Sequence, residues 1–441
     1  MVRIGHMARP VFPIDRRELM TGLGAAALVP ALPIAPAAAS DVHPLQARAD
    51  LITLRAGGPA TPIWSLGGPD LRFRRGGSQQ IAFTNDLPVP MTLDWWGLDG
   101  AQAAEPLATR RPLVGGTKDT FEIPLRHAGT FLCDLALLGD GQARPSRGLP
   151  LIISESESVG VDRDEVLLIE QWRLRPDGTA IAPGIDPKDT VPVYSLNGQP
   201  SRDITARTHE RLRFRIINSC QRTVIAIKFE NNDVRAMALD GQPAEPFLAR
   251  NGALVLAPGG RADAFIDVAG SAGTTSSILL HDGKEARPIG RLVVSSEPPI
   301  RATPLPPAPP LPSNGLPAQL DLKNALRFDL SLGGAPADWA TPSGFSTSSP
   351  PAFRAKTGRT VVLALTNRAG IANVFHLHGH HFRLLDRLDD GWKPFWLDTL
   401  AIEPGATQRV AFAAEHPGQW LIESVATDWV GPRLVRWYSV A

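Results

Sequence analysis

One pattern recurs three times along this chain. Leu71-Arg72-Phe73-Arg74-Arg75-Gly76 leads into Ile81-Ala82-Phe83-Thr84-Asn85. Ile204-Thr205-Ala206-Arg207-Thr208-His209 leads into Leu212-Arg213-Phe214-Arg215-Ile216-Ile217-Asn218, and Phe353-Arg354-Ala355-Lys356-Thr357-Gly358 leads into Val361-Val362-Leu363-Ala364-Leu365-Thr366-Asn367. Each copy has a turn, then alternating side chains that mark a half-buried strand, then an Asn fourteen positions after the first apolar residue. The copies lie 133 and 149 residues apart, which is domain spacing rather than solenoid spacing. Elsewhere short apolar runs such as Leu151-Ile152-Ile153 and Leu254-Val255-Leu256 are broken by Gly, Pro, Asn and Asp, and long helical periodicity is nearly absent. The pattern predicts an all-β chain of three consecutive antiparallel sandwiches at 42–157, 158–297 and 319–441. The Pro-rich stretch at 298–318 reads as a stiff connector.

The N-terminus carries an address. Asp15-Arg16-Arg17-Glu18-Leu19 precedes a weakly apolar run from Leu23 to Ile34 and then Ala37-Ala38-Ala39. This is the layout of a secretory signal over residues 1–39, and the paired arginines with Gly22 and Gly24 point to the twin-arginine route. The expected destination is the periplasm, with the twin-arginine export machinery as a partner. Pro30, Pro33 and Pro36 argue against an anchor helix, so no stable membrane span is expected after cleavage. Without residues 1–39 the 45 basic and 44 acidic side chains become 41 and 42, and no basic stripe recommends nucleic-acid binding. Two cysteines cannot build a disulfide framework or a Cys-based zinc module. Cys133 and Cys220 read either as an interdomain disulfide or as two buried thiols.

The chemistry-bearing segment is Phe375-His376-Leu377-His378-Gly379-His380-His381-Phe382. On a strand, His376, His378 and His380 share one face, and two such imidazoles can grip a metal. Here the sequence resembles the multicopper oxidase superfamily, which joins three cupredoxin-like Greek-key sandwiches. Further matching segments are Trp95 with Gly97-Leu98, Gly129-Thr130-Phe131, Leu239-Asp240-Gly241-Gln242-Pro243, Pro258-Gly259-Gly260-Arg261-Ala262-Asp263 and Pro417-Gly418-Gln419-Trp420.

The resemblance implies four His-x-His pairs around a three-copper cluster, and a mononuclear copper held by two His, a Cys and often a Met. At the cluster positions this chain has Asp94-Trp95-Trp96, Asp134-Leu135-Ala136, His376-Leu377-His378 and Glu423-Ser424-Val425. At the mononuclear positions it has Asn373, Ser424, Trp429 and Leu434. A blue-copper centre needs a Cys sulfur and two imidazoles. Laccase-type oxidation is therefore expected to be lost, with no cofactor and no catalytic residues. Trp96 and Trp429 are expected to fill the vacated sites. The comparison implied is with the superfamily's copper-free periplasmic cell-division member, and hence a structural or binding protein with an envelope partner. The alternative is a remodelled site in which Asp94, Asp134, His376, His378 and Glu423 hold copper or another transition metal for oxidoreductase or hydrolase chemistry; the competing reading of the same residues is a buried hydrogen-bonded network. His380 and His381 are expected to pack or to support the metal ligands from behind, and His43, His127, His209, His281 and His416 to be surface or structural. Arg72, Arg74 and Arg75 read as a solvated strand face. Asp389-Asp390, adjacent on a strand, should point apart, and no Gly-x-Ser-x-Gly elbow, His-Glu-x-x-His helix or phosphate loop is present.

Overall fold

The three recurring segments fold into equivalent strands, Ser78–Asn85, Arg211–Asn218 and Thr360–Asn367, and each ends on its Asn. All three Asn side chains are fully buried. Each Oδ1 accepts the backbone N–H two residues on, from Leu87, Cys220 or Ala369 at 2.9–3.0 Å. Each Nδ2 donates to two carbonyls: Val89 and Leu113, Thr223 and Leu256, or Ile371 and Ile402. One short amide thus satisfies three backbone groups of a buried turn that would otherwise be stranded.

These relations belong to the computed structural model, which describes residues 42–333, 338–386 and 391–441. The expected leader at 1–39 and the pair Asp389-Asp390 lie outside the described residues. Each recurring strand has a parallel neighbour on one side, His43–Ile52, Arg163–Leu174 or Leu326–Leu332, and an antiparallel one on the other, Thr117–Pro124, Arg261–Asp267 or Thr407–Ala413. Six sheets result, two from each successive portion of the chain. Between each pair lies an apolar core, with Ile81, Phe131 and Leu151 in the first, Phe214, Ile227 and Leu292 in the second, and Leu363, Phe375 and Tyr438 in the third. The fold is three consecutive cupredoxin-like Greek-key sandwiches. No helix among the described residues is long and apolar enough to cross a membrane.

The sandwiches meet through buried charge. Arg261 is completely buried and reaches all three: it donates to the Thr130 carbonyl, to the Gly259 and Asp240 carbonyls, and to both oxygens of Asp398. Gly97 has φ +92, and a Cβ there would sit 2.4 Å from an Arg261 nitrogen, so glycine is what lets the guanidinium through. Asp263 joins the first two sandwiches, accepting from Thr130 Oγ1, Arg213 and Arg215. The Pro-rich stretch is not a free connector. Arg211 donates to Pro306 O, Leu311 packs with Met237 and Phe265, and Arg75 donates to the carbonyls of Ser313 and Asn314. Of the expected solvated arginines, Arg72 and Arg74 are exposed, whereas Arg75 is half-buried by this bond to the connector.

Candidate functional site

Two short stretches of paired strand build the centre of the molecule. Asp94–Trp96 runs antiparallel to Gly129–Asp134 with Asp94 opposite Asp134, so the two carboxylates share a face. In the third sandwich, Asn373–Leu377 runs antiparallel to Gly418–Ala426 with His376 opposite Glu423. Alternation puts His378 on the His376 side. All five residues expected to converge are buried, and ligand atoms of His376, His378 and Glu423 lie within 4.8 Å of one another.

His378 Nε2 lies 3.0 Å from Glu423 Oε1 and 3.9 Å from Asp94 Oδ1, while its Nδ1 lies 3.1 Å from Glu105 Oε1. His376 Nδ1 is 3.1 Å from the Asp398 carbonyl and from Thr399 Oγ1, and its Nε2 has no hydrogen-bond partner. Trp96 stacks on the His376 ring with centroids 4.1 Å apart, and its Nε1 donates to Asp134 Oδ2 at 3.2 Å. The indole packs with Leu132, Leu168 and Ile217 across the first and second sandwiches. Arg433, buried at the start of Arg433–Val440, forms an ion pair with Glu423 and donates its backbone N–H to Asp140 at 3.1 Å.

The protonation pattern follows from this geometry. Burial would raise Glu423, but Arg433 and His378 outweigh it and hold the carboxyl well below the usual range. Burial opposes charge on His378, yet Glu105 and Asp94 drive the ring well above its ordinary value. His376 is pushed down to about 3 by burial and by the neighbouring His378, so it is neutral. Burial and the Glu423 charge raise Asp94 well above the carboxylate range, and burial lifts Asp134 to about 6. Neither oxygen of Asp94 has a hydrogen-bond partner. The centre therefore sets the His378 and Arg433 cations against a firmly ionised Glu423, while Asp94 favours its neutral form.

The family profile described as "Multicopper oxidase" matches residues 319–441. The multicopper oxidase MmcO of Mycobacterium tuberculosis is 24% identical over 475 aligned positions, covering 91% of this chain and 88% of that protein. The crystal structure of a multi-copper oxidase from Pseudomonas thermotolerans superposes with TM-score 0.76 at 25% identity, covering 90% of this chain and 98% of the other. Lac15, from a marine microbial metagenome, superposes with TM-score 0.74 at 24% identity over 90% and 99% of the two chains. Over nearly its whole length the chain is thus similar to multicopper oxidases, and its last portion matches their profile.

In this chain, Ser424, Asn373 and Trp429, at the positions the resemblance gives to mononuclear copper ligands, bond to one another or to backbone. Ser424 Oγ donates to Asn373 Oδ1 at 2.6 Å, Trp429 Nε1 donates to the Ala182 carbonyl at 3.1 Å, and Leu434 is half-buried opposite Ser424. A cleft of about 750 Å³ opens beside Trp429, lined also by Arg173, Tyr194, Arg222 and His281. Cys133 and Cys220 are both free and buried, which settles them as thiols. His380 Nδ1 meets Tyr438 Oη at 2.7 Å and His380 Nε2 accepts from His416 N, so this ring packs as expected.

Three central residues escaped the sequence reading: Arg433, Glu105 and Asp398. Arg433 did leave a signal. It shares strand parity with the buried Val435 and Trp437, and an arginine on an inward face requires a buried anion. Glu105 sits after a single 3-10 turn, where no periodicity marks it.

Proposed function

We propose that this chain is a multicopper-oxidase-family protein that does not pass electrons through copper, and that it serves as an exported structural or binding protein of the cell envelope. The observation that carries this reading is the Ser424–Asn373 hydrogen bond at the electron-entry position. A hydroxyl, an amide, an indole and an isobutyl group offer no thiolate and no imidazole, so the residues do not fit a blue-copper centre. The three-copper cluster does not fit either. At its eight positions stand two imidazoles, three carboxyl groups, an indole and two aliphatic side chains, and the Arg433 guanidinium brings positive charge to the ligands themselves. The cleft beside Trp429 supplies a place for a binding role. Export by the twin-arginine route, expected from Arg16-Arg17, belongs to the same proposal.

The test is copper content, visible absorption and dioxygen uptake with a reducing phenolic dye, on protein purified from its native compartment. A colourless protein without stoichiometric copper or oxygen uptake is expected. A blue, oxygen-consuming sample would overturn the reading. A second reading has its own observation: the unpartnered Asp94 oxygens and His376 Nε2 face a site where His376, His378 and Glu423 offer atoms within 4.8 Å of one another, a set for one non-blue transition metal. Stoichiometric metal lost on His376→Phe substitution would favour it.

A further inference from the structure

A second group of ligand-type side chains lies where the three sandwiches meet, apart from the His378–Glu423 centre. Asp99 comes from the loop after Asp94–Trp96, His127 from the turn before Gly129–Asp134, and His381 from the segment after the His-x-His strand. One ring nitrogen from each His and a carboxylate oxygen of Asp99 lie within 4.8 Å of one another. We propose that Asp99, His127 and His381 form a binding site for one divalent cation of the Zn²⁺ class, which clamps the first sandwich to the third.

One distance already matches the spacing around a single ion, and the other is a hydrogen bond that the ion would replace. His381 Nδ1 is 2.8 Å from Asp99 Oδ1, and His127 Nδ1 is 3.4 Å from Asp99 Oδ2. Tetrahedral donors around Zn²⁺ at about 2.0–2.1 Å stand roughly 3.4 Å apart. The ring is oriented as well. His381 Nε2 donates its proton to the Asp240 carbonyl at 2.8 Å, so an entering ion has to displace only the Nδ1 proton that now bridges to Asp99. Metal-bound imidazoles are held by this kind of backbone acceptor.

Independent of that geometry, Asp99 Oδ2 is buried without a hydrogen-bond partner. His381 Nδ1 donates to Asp99 Oδ1, and Gln242 Nε2, oriented by its 3.0 Å bond from Asn314, donates to His127 Nδ1 at 3.0 Å, which leaves Asp99 Oδ2 as the unmet acceptor. A cation between the three side chains would meet it. The His127 side chain is 11% exposed, which gives the ion a way in.

Isothermal titration of the chelator-stripped mature chain with Zn²⁺ tests the site. One equivalent should bind and raise the unfolding temperature. His127→Ala, checked for folding by circular dichroism, should weaken that binding by at least about 100-fold, an effect expected of a ligand rather than of its support. His127→Gln, which keeps an acceptor for Gln242, replaces it if the alanine variant does not fold. His376→Phe, at a ring that makes no hydrogen bond or ion pair with Asp99, His127 or His381, should leave the binding intact. Absence of Zn²⁺ binding, binding unchanged in the His127 variants, or binding lost in His376→Phe would each overturn the proposal.

Discussion

At the scale of single residues, Arg433 decides what the centre is. Its guanidinium neutralises Glu423 in a site from which water is excluded, so removing it strands a buried carboxylate. Arg433→Met should cost about 3–5 kcal/mol of stability, the usual penalty for breaking one side of a buried pair, read as a lowered urea midpoint. Pairing it with Glu423→Gln should recover most of that loss. His376 and His378 were legible from their two-residue spacing on a strand, whereas Asp94, Asp134 and Glu423 were marked only by the resemblance, at whose ligand positions they stand. Arg433 was not, because its bond to Glu423 depends on the register of a hairpin, with Glu423 opposite Val435, and no local pattern encodes register.

Among the elements, the turn at Pro258-Gly259-Gly260 shows how a motif acts through space. Gly259 has φ +81, and a Cβ there would lie 2.2 Å from the Trp96 ring. Gly259→Ala should cost about 2–4 kcal/mol, combining left-handed strain with overpacking, and should lower the urea midpoint. Gly76, at φ +112 with nothing within 4 Å, should lose only about 1 kcal/mol on the same change. In sequence this segment reads as a turn, and so it is. That it makes room for an indole from another sandwich is invisible there, since the partners lie more than 160 positions apart. The recurring Asn is the opposite case. Its position was evident from the repeat, and the structure supplies the reason in three hydrogen bonds made in each copy.

Across the whole molecule, stability should depend on acidity through the acids at the sandwich boundaries. Burial works to raise Asp263 and Asp398, but Arg213 with Arg215, and Arg261, outweigh it and hold both below the ordinary carboxyl range. A folded value below the unfolded one, about 3.9, means stability that is fully present above that pH and is lost as pH falls further. Asp263→Asn should therefore start about 3 kcal/mol less stable at neutral pH and show a flatter acid limb, measured as urea midpoints at pH 7 and about pH 3. The all-β architecture was readable because each sandwich carries its own alternation. The contacts between sandwiches were not, because Arg261 and Asp398 sit 137 positions apart and only folding unites them.

Asn314 closes the argument at this scale. It lies in the stretch between the second and third sandwiches, yet its side chain bonds both backbone groups of Ala128 in the first, at 2.8 and 2.9 Å. A connector that reaches back in this way is part of the wall it spans. Changes in its length would be felt as misfit at a seam between neighbours, rather than as slack in a tether.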